Sequence, residues 1–582
     1  MALATLLLPP ALLVVAAALS WAAGLARPPV GRQVVAAAAW LALAALAGAW
    51  LAAARGSSEF APGLTTGVIP VRLRVDAVTV LFQVAVLLPA ALLLTFQRRS
   101  SSEATRAALA TAAALGCLDG GSLLWTAIGL GVCTSLLLIH LYREEPRVST
   151  QFWVVQTVAW LLLVWTAVLL ESAGGTSVYG AIPVTALRLP AFAVMTVAAL
   201  LCSGLLPWRS WVSEAWTRRR LEAGTLAIAL IVPLGLYPLV RAYGMGAGQW
   251  PSIQTNVVVA AVGTAVALGA AVRAQGAATR RRYLAEAVPL ASGLALLALG
   301  LGTPLGLVAA LTAILALSIV AGLAPLVPPG RGAVAVVAIA VAAGAPPAVV
   351  FAGWLLAIQA AVEAGIITAF FGLVGAAAWL LGLAAAARAI WLPDTSSGDG
   401  PGAGRGYVGS LVASAAAITA GVALTAVVGL LAIPAAAEVM PTSAVHPQSG
   451  GVSQAAILGA GSMGVSTASG GWSAVLLAGP LVLIALITVT AAHLARRRAA
   501  RISVLEEVPA SNVAPPQPPP EPFFAPPLAT IPHDAARRLR ALRLPEQYRS
   551  LFRPALMERA AVWGGPWLWA AATVALTIAV TR

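Results

Sequence analysis

Long apolar runs recur from residue 3 to residue 580, separated by short polar joints. Many reach the roughly 20 residues that carry a helix across a bilayer. The runs do not alternate as the strands of a membrane barrel would, and in lipid each backbone polar group must find its partner within the chain, so they predict helices. Sixteen spans are expected, at about 3–24, 33–54, 75–96, 103–119, 121–142, 150–171, 188–207, 222–243, 253–273, 283–302, 304–327, 333–361, 364–391, 407–435, 474–497 and 562–580. Two joints are tight turns, Asp119-Gly120 and Gly302-Thr303. The run at 3–24 lacks the basic start of a signal peptide and is read as the first span. The expected fold class is therefore all-α, a polytopic membrane helix bundle.

Composition agrees: 60% of the 582 residues are hydrophobic and 9% are charged, too little polar material to cover a water-soluble surface. The net charge is +15, which in a soluble protein suggests nucleic acid. Here every basic residue other than four histidines is an arginine, and the arginines sit in the joints. If the amino end is outside, about 29 of them fall on the cytoplasmic side and about 6 outside (Arg55, Arg72, Arg74, Arg188, Arg241 and Arg582). This is the positive-inside distribution of an inner (plasma) membrane protein, bacterial by its Ala-, Gly- and Arg-rich composition, and excludes a nucleic-acid partner. Cys117, Cys133 and Cys202 lie inside apolar runs as small hydrophobes.

Two segments break the pattern. Residues 436–473 are rich in Ser, Gly and Thr and fall outside as a polar, flexible loop. Residues 498–559 fall inside; they open on a Pro-rich spacer (Pro515 to Pro527) and continue as a short basic amphipathic stretch from Asp534 to Leu544. That stretch suits either a membrane face or partner, or a solvated helix. The chain thus divides into a membrane core, 1–435; the loop, 436–473; an additional span, 474–497; the cytoplasmic segment, 498–559; and a last span within 560–582.

Several motifs stand in a fixed order. Val75-Asp76-Ala77-Val78-Thr79-Val80-Leu81-Phe82 opens the third span. Leu124-Trp125-Thr126-Ala127-Ile128-Gly129-Leu130 lies in the fifth, and Leu206-Pro207-Trp208-Arg209-Ser210-Trp211 follows the seventh. Arg281-Arg282-Tyr283-Leu284-Ala285 opens the tenth, and Ala343-Gly344-Ala345-Pro346-Pro347 interrupts the twelfth. Together they resemble the antiporter-like proton-translocating subunits of respiratory complex I, Mrp antiporters and membrane-bound hydrogenases, over about residues 70–395. The resemblance implies an antiporter-like core with helices broken near Pro207 and at Pro346 and Pro347. It also implies a place among the membrane subunits of a larger complex, and protons or monovalent cations as cargo.

At each key position this chain departs from the family. Thr126 stands where the family has a Glu, Cys202 where it has a Lys in the broken seventh helix, and Trp354 near the Lys of the broken twelfth. A Thr and a Cys cannot exchange a proton as a Glu–Lys pair does. The remaining proton-path candidates are Glu286, at the cytoplasmic end of the tenth span, with Arg281 and Arg282 beside it, and His140 in the fifth. Glu286 suits either a relay carboxylate or an ion pair with those arginines; His140 suits either titration or packing. Arginine itself does not release its proton. Asp76 and Asp119 stand at helix entrances, where capping and turn roles explain them. Glu171 and Glu363 end spans at the interface, and Arg209 and Glu214 flank the first break.

There is no phosphate-binding loop, dinucleotide fingerprint, Cys cluster or haem-spaced His pair, so no cofactor or metal is expected and any enzymatic role is that of a non-redox subunit. Three readings follow. The chain is a divergent antiporter-like subunit of a complex I-type (NADH:quinone oxidoreductase-like) or hydrogenase-type assembly, contributing to translocation or scaffolding. It is a structural subunit that has lost conduction. Or it is an unrelated small-molecule transporter.

Overall fold

The computed structural model describes residues 2–440 apart from 27, 54–57, 61–71, 98–99, 145, 188, 206–210, 213–221, 249–252, 329–331, 393–402 and 423–426, together with 457–458, 464–467 and 470–473. The helices are α1 (Ala2–Ala26), α2 (Pro28–Ala53), α3 (Ala77–Phe96), α4 (Ser101–Leu118), α5 (Leu123–Glu144), α6 (Pro146–Gly174) and α7 (Leu189–Cys202). They continue as α8 (Glu222–Ala242), α9 (Ile253–Gln275), α10 (Arg280–Leu299), α11 (Pro304–Leu323), α12 (Ala333–Ala342), α13 (Val349–Ala364), α14 (Ile366–Ala389), α15 (Ala403–Val422) and α16 (Ile433–Val439). Among the described residues nine helices are long and apolar enough to cross a membrane. The expected spans 474–497 and 562–580 lie outside the described residues, as do Pro207, Arg209 and Glu214.

Position in the bundle follows composition. The helix α11 has no charged residue and is buried on every face; α8 is as deeply buried. With α3 and α10 they form the centre, where α11 packs against α3, α8, α10 and α13. By contrast α14 exposes Ile366, Phe370, Leu373 and Leu380, spaced by four, three and seven residues on one outward apolar stripe. Helix starts carry their signals. Ser100 and Glu103 form a reciprocal capping box on α4. The Gly302-Thr303 turn has Gly302 at φ 66°, Thr303 capping α11 through the Gly306 amide, and Pro304 in its first turn.

The run at 333–361 is not one helix. The helix α12 stops at Ala342, and α13 starts only at Val349, after Pro346 and Pro347. The 14 residues of α7 span about 21 Å and the 10 residues of α12 about 15 Å, both short of a roughly 30 Å hydrocarbon core. The two endings share one geometry. Gly204, at φ 69°, donates to Leu201 O at 3.0 Å while Leu205 donates to Leu200 O at 2.9 Å. Gly344, at φ 79°, donates to Val341 O at 3.0 Å while Ala345 donates to Ala340 O at 2.9 Å. Each is a glycine-closed helix end, available only to a residue tolerant of left-handed backbone.

Two short sheets join the helices. The strands β1 (Ser58–Phe60) and β2 (Leu73–Val75) pair antiparallel, Glu59 opposite Arg74. Within the polar loop, β3 (Ile457–Leu458), β4 (Gly464–Thr467) and β5 (Gly470–Ser473) form an antiparallel ribbon in the order β3-β4-β5, so part of a stretch read as flexible is regular structure.

A neighbouring glycine crosses each break. A Cβ on Gly235 of α8 would lie 2.3 Å from Ser203 Oγ, and one on Gly421 of α15 would lie 1.8 Å from Pro347 O. Because Pro347 O is backbone, it cannot swing aside. Gly421→Ala is expected to destabilise by about 1–3 kcal/mol, read as a lowered thermal midpoint in detergent; an unchanged midpoint would show that the crossing is not tight.

Candidate functional site

At the first break, helix termination frees carbonyl groups inside the bundle, where an unpaired one is costly. Gln156 of α6 donates to Cys202 O at 3.0 Å and Ser203 Oγ donates to Val232 O at 3.2 Å. Cys202 also lines a cavity of ≈ 10 Å³ with Cys117, Thr126, Leu163, Ala198 and Leu234, close to the smallest that holds one water. The positions of Thr126 and Cys202 are thus brought together. Thr126 Oγ1 donates to Ser122 O at 3.1 Å and lies 3.0 Å from Tyr179 Oη. The Cys117 thiol reaches Thr126 O at 3.1 Å. No described residue lining this cavity carries a charge.

The second break repeats the arrangement with larger groups. Trp379 of α14 donates its indole N–H to Gly344 O at 3.3 Å, as Gln156 does for Cys202. Trp354 is buried on α13 against Gly344, and Phe351 stacks on Trp379 at 5.6 Å. Aromatic rings pack around Gly344, where α12 ends.

Charge gathers at the two ends of the bundle instead. At the end holding the start of α3, Asp76 caps the helix by accepting from the Thr79 amide at 2.8 Å. It also receives Arg241 in a two-pronged contact, Nη1–Oδ2 2.6 Å and Nη2–Oδ1 2.8 Å. Both side chains are buried. Arg241 further donates to Thr79 Oγ1 and Tyr237 Oη, each at 2.9 Å, and lies over the Tyr179 and Tyr237 rings. Arg74 joins Asp76 at 2.7 Å to Glu438 of α16 at 2.9 Å. Four elements are tied by one network in which every guanidinium nitrogen of Arg241 has an acceptor, the condition under which a buried ion pair is tolerable.

At the opposite end Glu286 is buried on α10 and pairs with Arg273 of α9 at 2.9 Å. The sequence pairs it with Arg281 and Arg282. Those residues are half-buried and exposed on the first turn of α10, whereas the antiparallel approach of α9 brings Arg273 directly opposite. Arg280 donates to Ala389 O, Ile390 O and Pro328 O, and Arg388 donates to Gln275 O and Ala277 O. The two arginines thus hold the chain ends of each other's neighbouring helices. His140 is buried on α5; α5 packs on α4, α6 and α8, while α10 packs on α9, α11, α13 and α14. The two titratable candidates therefore belong to different parts of the bundle.

The sequence reading missed Arg241, Glu438 and Arg280. Arg241 carried one signal, an arginine ending an apolar run four residues after Tyr237. Asp76 was read as a cap, which it is, without its ion pair. No group of three or more His, Cys, Asp or Glu side chains able to hold a metal occurs among the described residues.

The fold has solved counterparts. One lies in the Mrp complex from Dietzia sp. DQ12-45-1b: TM-score 0.65, 19% identity, over 76% of this chain and 98% of that one. A second lies in the membrane-bound sulfane sulfur reductase, an archaeal respiratory membrane complex: TM-score 0.70, 17% identity, over the whole of both chains. A third lies in respiratory complex I from Thermus thermophilus: TM-score 0.63, 20% identity, over 76% of this chain and 98% of that one. No family model matches the sequence, and no curated protein matches it. The chain is a multi-pass membrane protein that shares its fold with chains of these membrane complexes.

Removing one partner of the buried pair leaves the other charge stranded. Arg241→Met alone should destabilise by about 3–5 kcal/mol, and Asp76→Leu/Arg241→Met by less than the sum of the single changes. Thermal unfolding of the four proteins tests this; additive losses would mean that the pair is not coupled.

Proposed function

We propose that the chain is a membrane subunit of a multisubunit complex of the respiratory type, one that keeps the antiporter-like scaffold without conducting protons through its centre. In this reading it sits in a bacterial inner membrane with the amino end outside. Its lipid-facing helices meet the bilayer and its partners are other membrane subunits. Residues 436–473 form the outer loop, 474–497 add a span, 498–559 run on the cytoplasmic side, and 560–582 carry a last span.

The observation that carries the proposal is the meeting of Thr126 and Cys202 at one uncharged cavity with room for about a single water. A relay needs paired groups that gain and lose a proton near working pH and water or side chains between them. A threonine hydroxyl does not ionise there, and Thr126 Oγ1, Cys202 O and Ser203 Oγ are each already engaged within the protein. Among the described residues, the second break is packed with tryptophans and holds no titratable group. Glu286 is engaged by Arg273, His140 belongs to another part of the bundle, and Arg281 and Arg282 cannot release a proton. The likeness to subunits of membrane complexes supports the partnership.

In proteoliposomes the purified protein is expected to collapse an imposed proton gradient no faster than protein-free liposomes do, while mild solubilisation of native membranes recovers it with partner subunits. Flux above that baseline, abolished by Glu286→Gln or His140→Ala, would restore the relay and overturn the scaffold reading.

A further inference from the structure

Between α3 and the end of α4, a buried contact leaves both of its partners incomplete. Asp119 closes α4 and is 1% exposed; Gln83 of α3 is fully buried. Gln83 Nε2 lies 2.6 Å from Asp119 Oδ1. The other two oxygens, Asp119 Oδ2 and Gln83 Oε1, are buried and accept no hydrogen bond. A carboxylate and a carboxamide oxygen are both acceptors, so as an ionised pair they leave two unmet groups and an uncompensated charge in one apolar site. Either defect alone is destabilising, because a buried acceptor without a donor loses its water and gains nothing in return.

On α3 and α8, Asp76 and Arg241 hold each other. Arg74 spans Asp76 and Glu438, and its backbone amide donates to the Asp119 carbonyl. Arg72 meets this turn through its carbonyl, which accepts from the Gly121 amide. On α4 the neighbouring titratable group is the Cys117 thiol, which points to Thr126 O. Tyr237 approaches from α8 but donates to Leu118 O at 3.2 Å, and Tyr179 bonds Thr126.

A single proton removes both defects. Placed on the carboxyl it turns one acceptor into a donor for the amide oxygen, while the amide N–H serves the other carboxyl oxygen, closing an acid–amide ring. The 2.6 Å contact also suits O–H···O better than a neutral N–H···O, whose usual length is about 2.9–3.0 Å. The two ends of a glutamine amide are told apart only by their hydrogen bonds. We propose that Asp119 and Gln83 form a proton-binding site: a neutral carboxylic acid held by a carboxamide, at positions where the sequence gives only a turn and an apolar span. Asp119 lies two residues after Cys117, which lines the Thr126–Cys202 cavity, but neither Asp119 nor Gln83 lines that cavity. The proposal stands independently of whether the central axis conducts.

Infrared spectroscopy of the full chain in lipid nanodiscs, at neutral pH and in H₂O and D₂O, tests it. A protonated-carboxyl C=O band that shifts in D₂O is expected, lost in Asp119→Asn and retained in Asp76→Asn. Asp119→Asn should leave the thermal midpoint within a few degrees, because the amide reproduces the neutral acid's shape. Gln83→Leu is the second variant: it should keep the band but move it to higher frequency as a hydrogen bond is lost. A carbonyl region that Asp119→Asn does not alter would overturn the proposal. So would a thermal midpoint that rises with Na⁺ in the natural protein and not in Asp119→Asn, since the oxygens would then hold a cation and not a proton.

Discussion

A helix that ends inside a membrane exposes carbonyl oxygens where no water can meet them, and the rest of this bundle is arranged around two such endings. Glycines at φ 69° and 79° fold the last turn onto itself. One side chain from an adjacent helix, Gln156 or Trp379, then takes the freed carbonyl. A third helix passes so close that only glycine fits, Gly235 at one break and Gly421 at the other. Among the described residues, each break is closed by neutral hydrogen bonds and packing.

That closure explains where charge went. A buried guanidinium and carboxylate are stable only with their remaining donors and acceptors filled. The chain meets that condition at the ends of the bundle. Asp76 draws on Arg241, Arg74, and the Thr79 amide; Arg280 and Arg388 reach chain-end carbonyls. These contacts tie α3, α8 and α16 at one end and α9, α10 and α14 at the other. The middle, with Thr126, Cys202, Trp354 and Trp379, is left to packing. Among the described residues, the bundle is fastened by ion pairs at its ends and by packing at its centre.

Much of the fold was legible because membrane helices advertise themselves by length and hydropathy. The spans fell close to α2–α6 and α8–α11, and the Gly-Ala-Pro-Pro stretch marked the second break. What one sequence could not give was which helices face each other. Glu286 was paired with Arg281 and Arg282, its neighbours in sequence. Its partner Arg273 lies thirteen residues back, because the turn between α9 and α10 brings the two helices alongside. Glu438 and Arg74 are 364 positions apart and carry no local sign of each other. Gln83 reads as one polar residue in an apolar run until α4 places Asp119 against it.

The most direct test of a sealed centre is the reactivity of Cys202 and Cys117 toward a small, water-soluble thiol reagent in the intact membrane. The thiolate attacks an alkyl thiosulfonate to form a mixed disulfide and release a sulfinate, and the thiolate forms only where water reaches. Both thiols line the cavity and lie buried, so neither should be modified in native membranes, and both should react once the protein is unfolded. Rapid labelling of Cys202 in the folded protein would reveal a hydrated path at the first break and contradict the account.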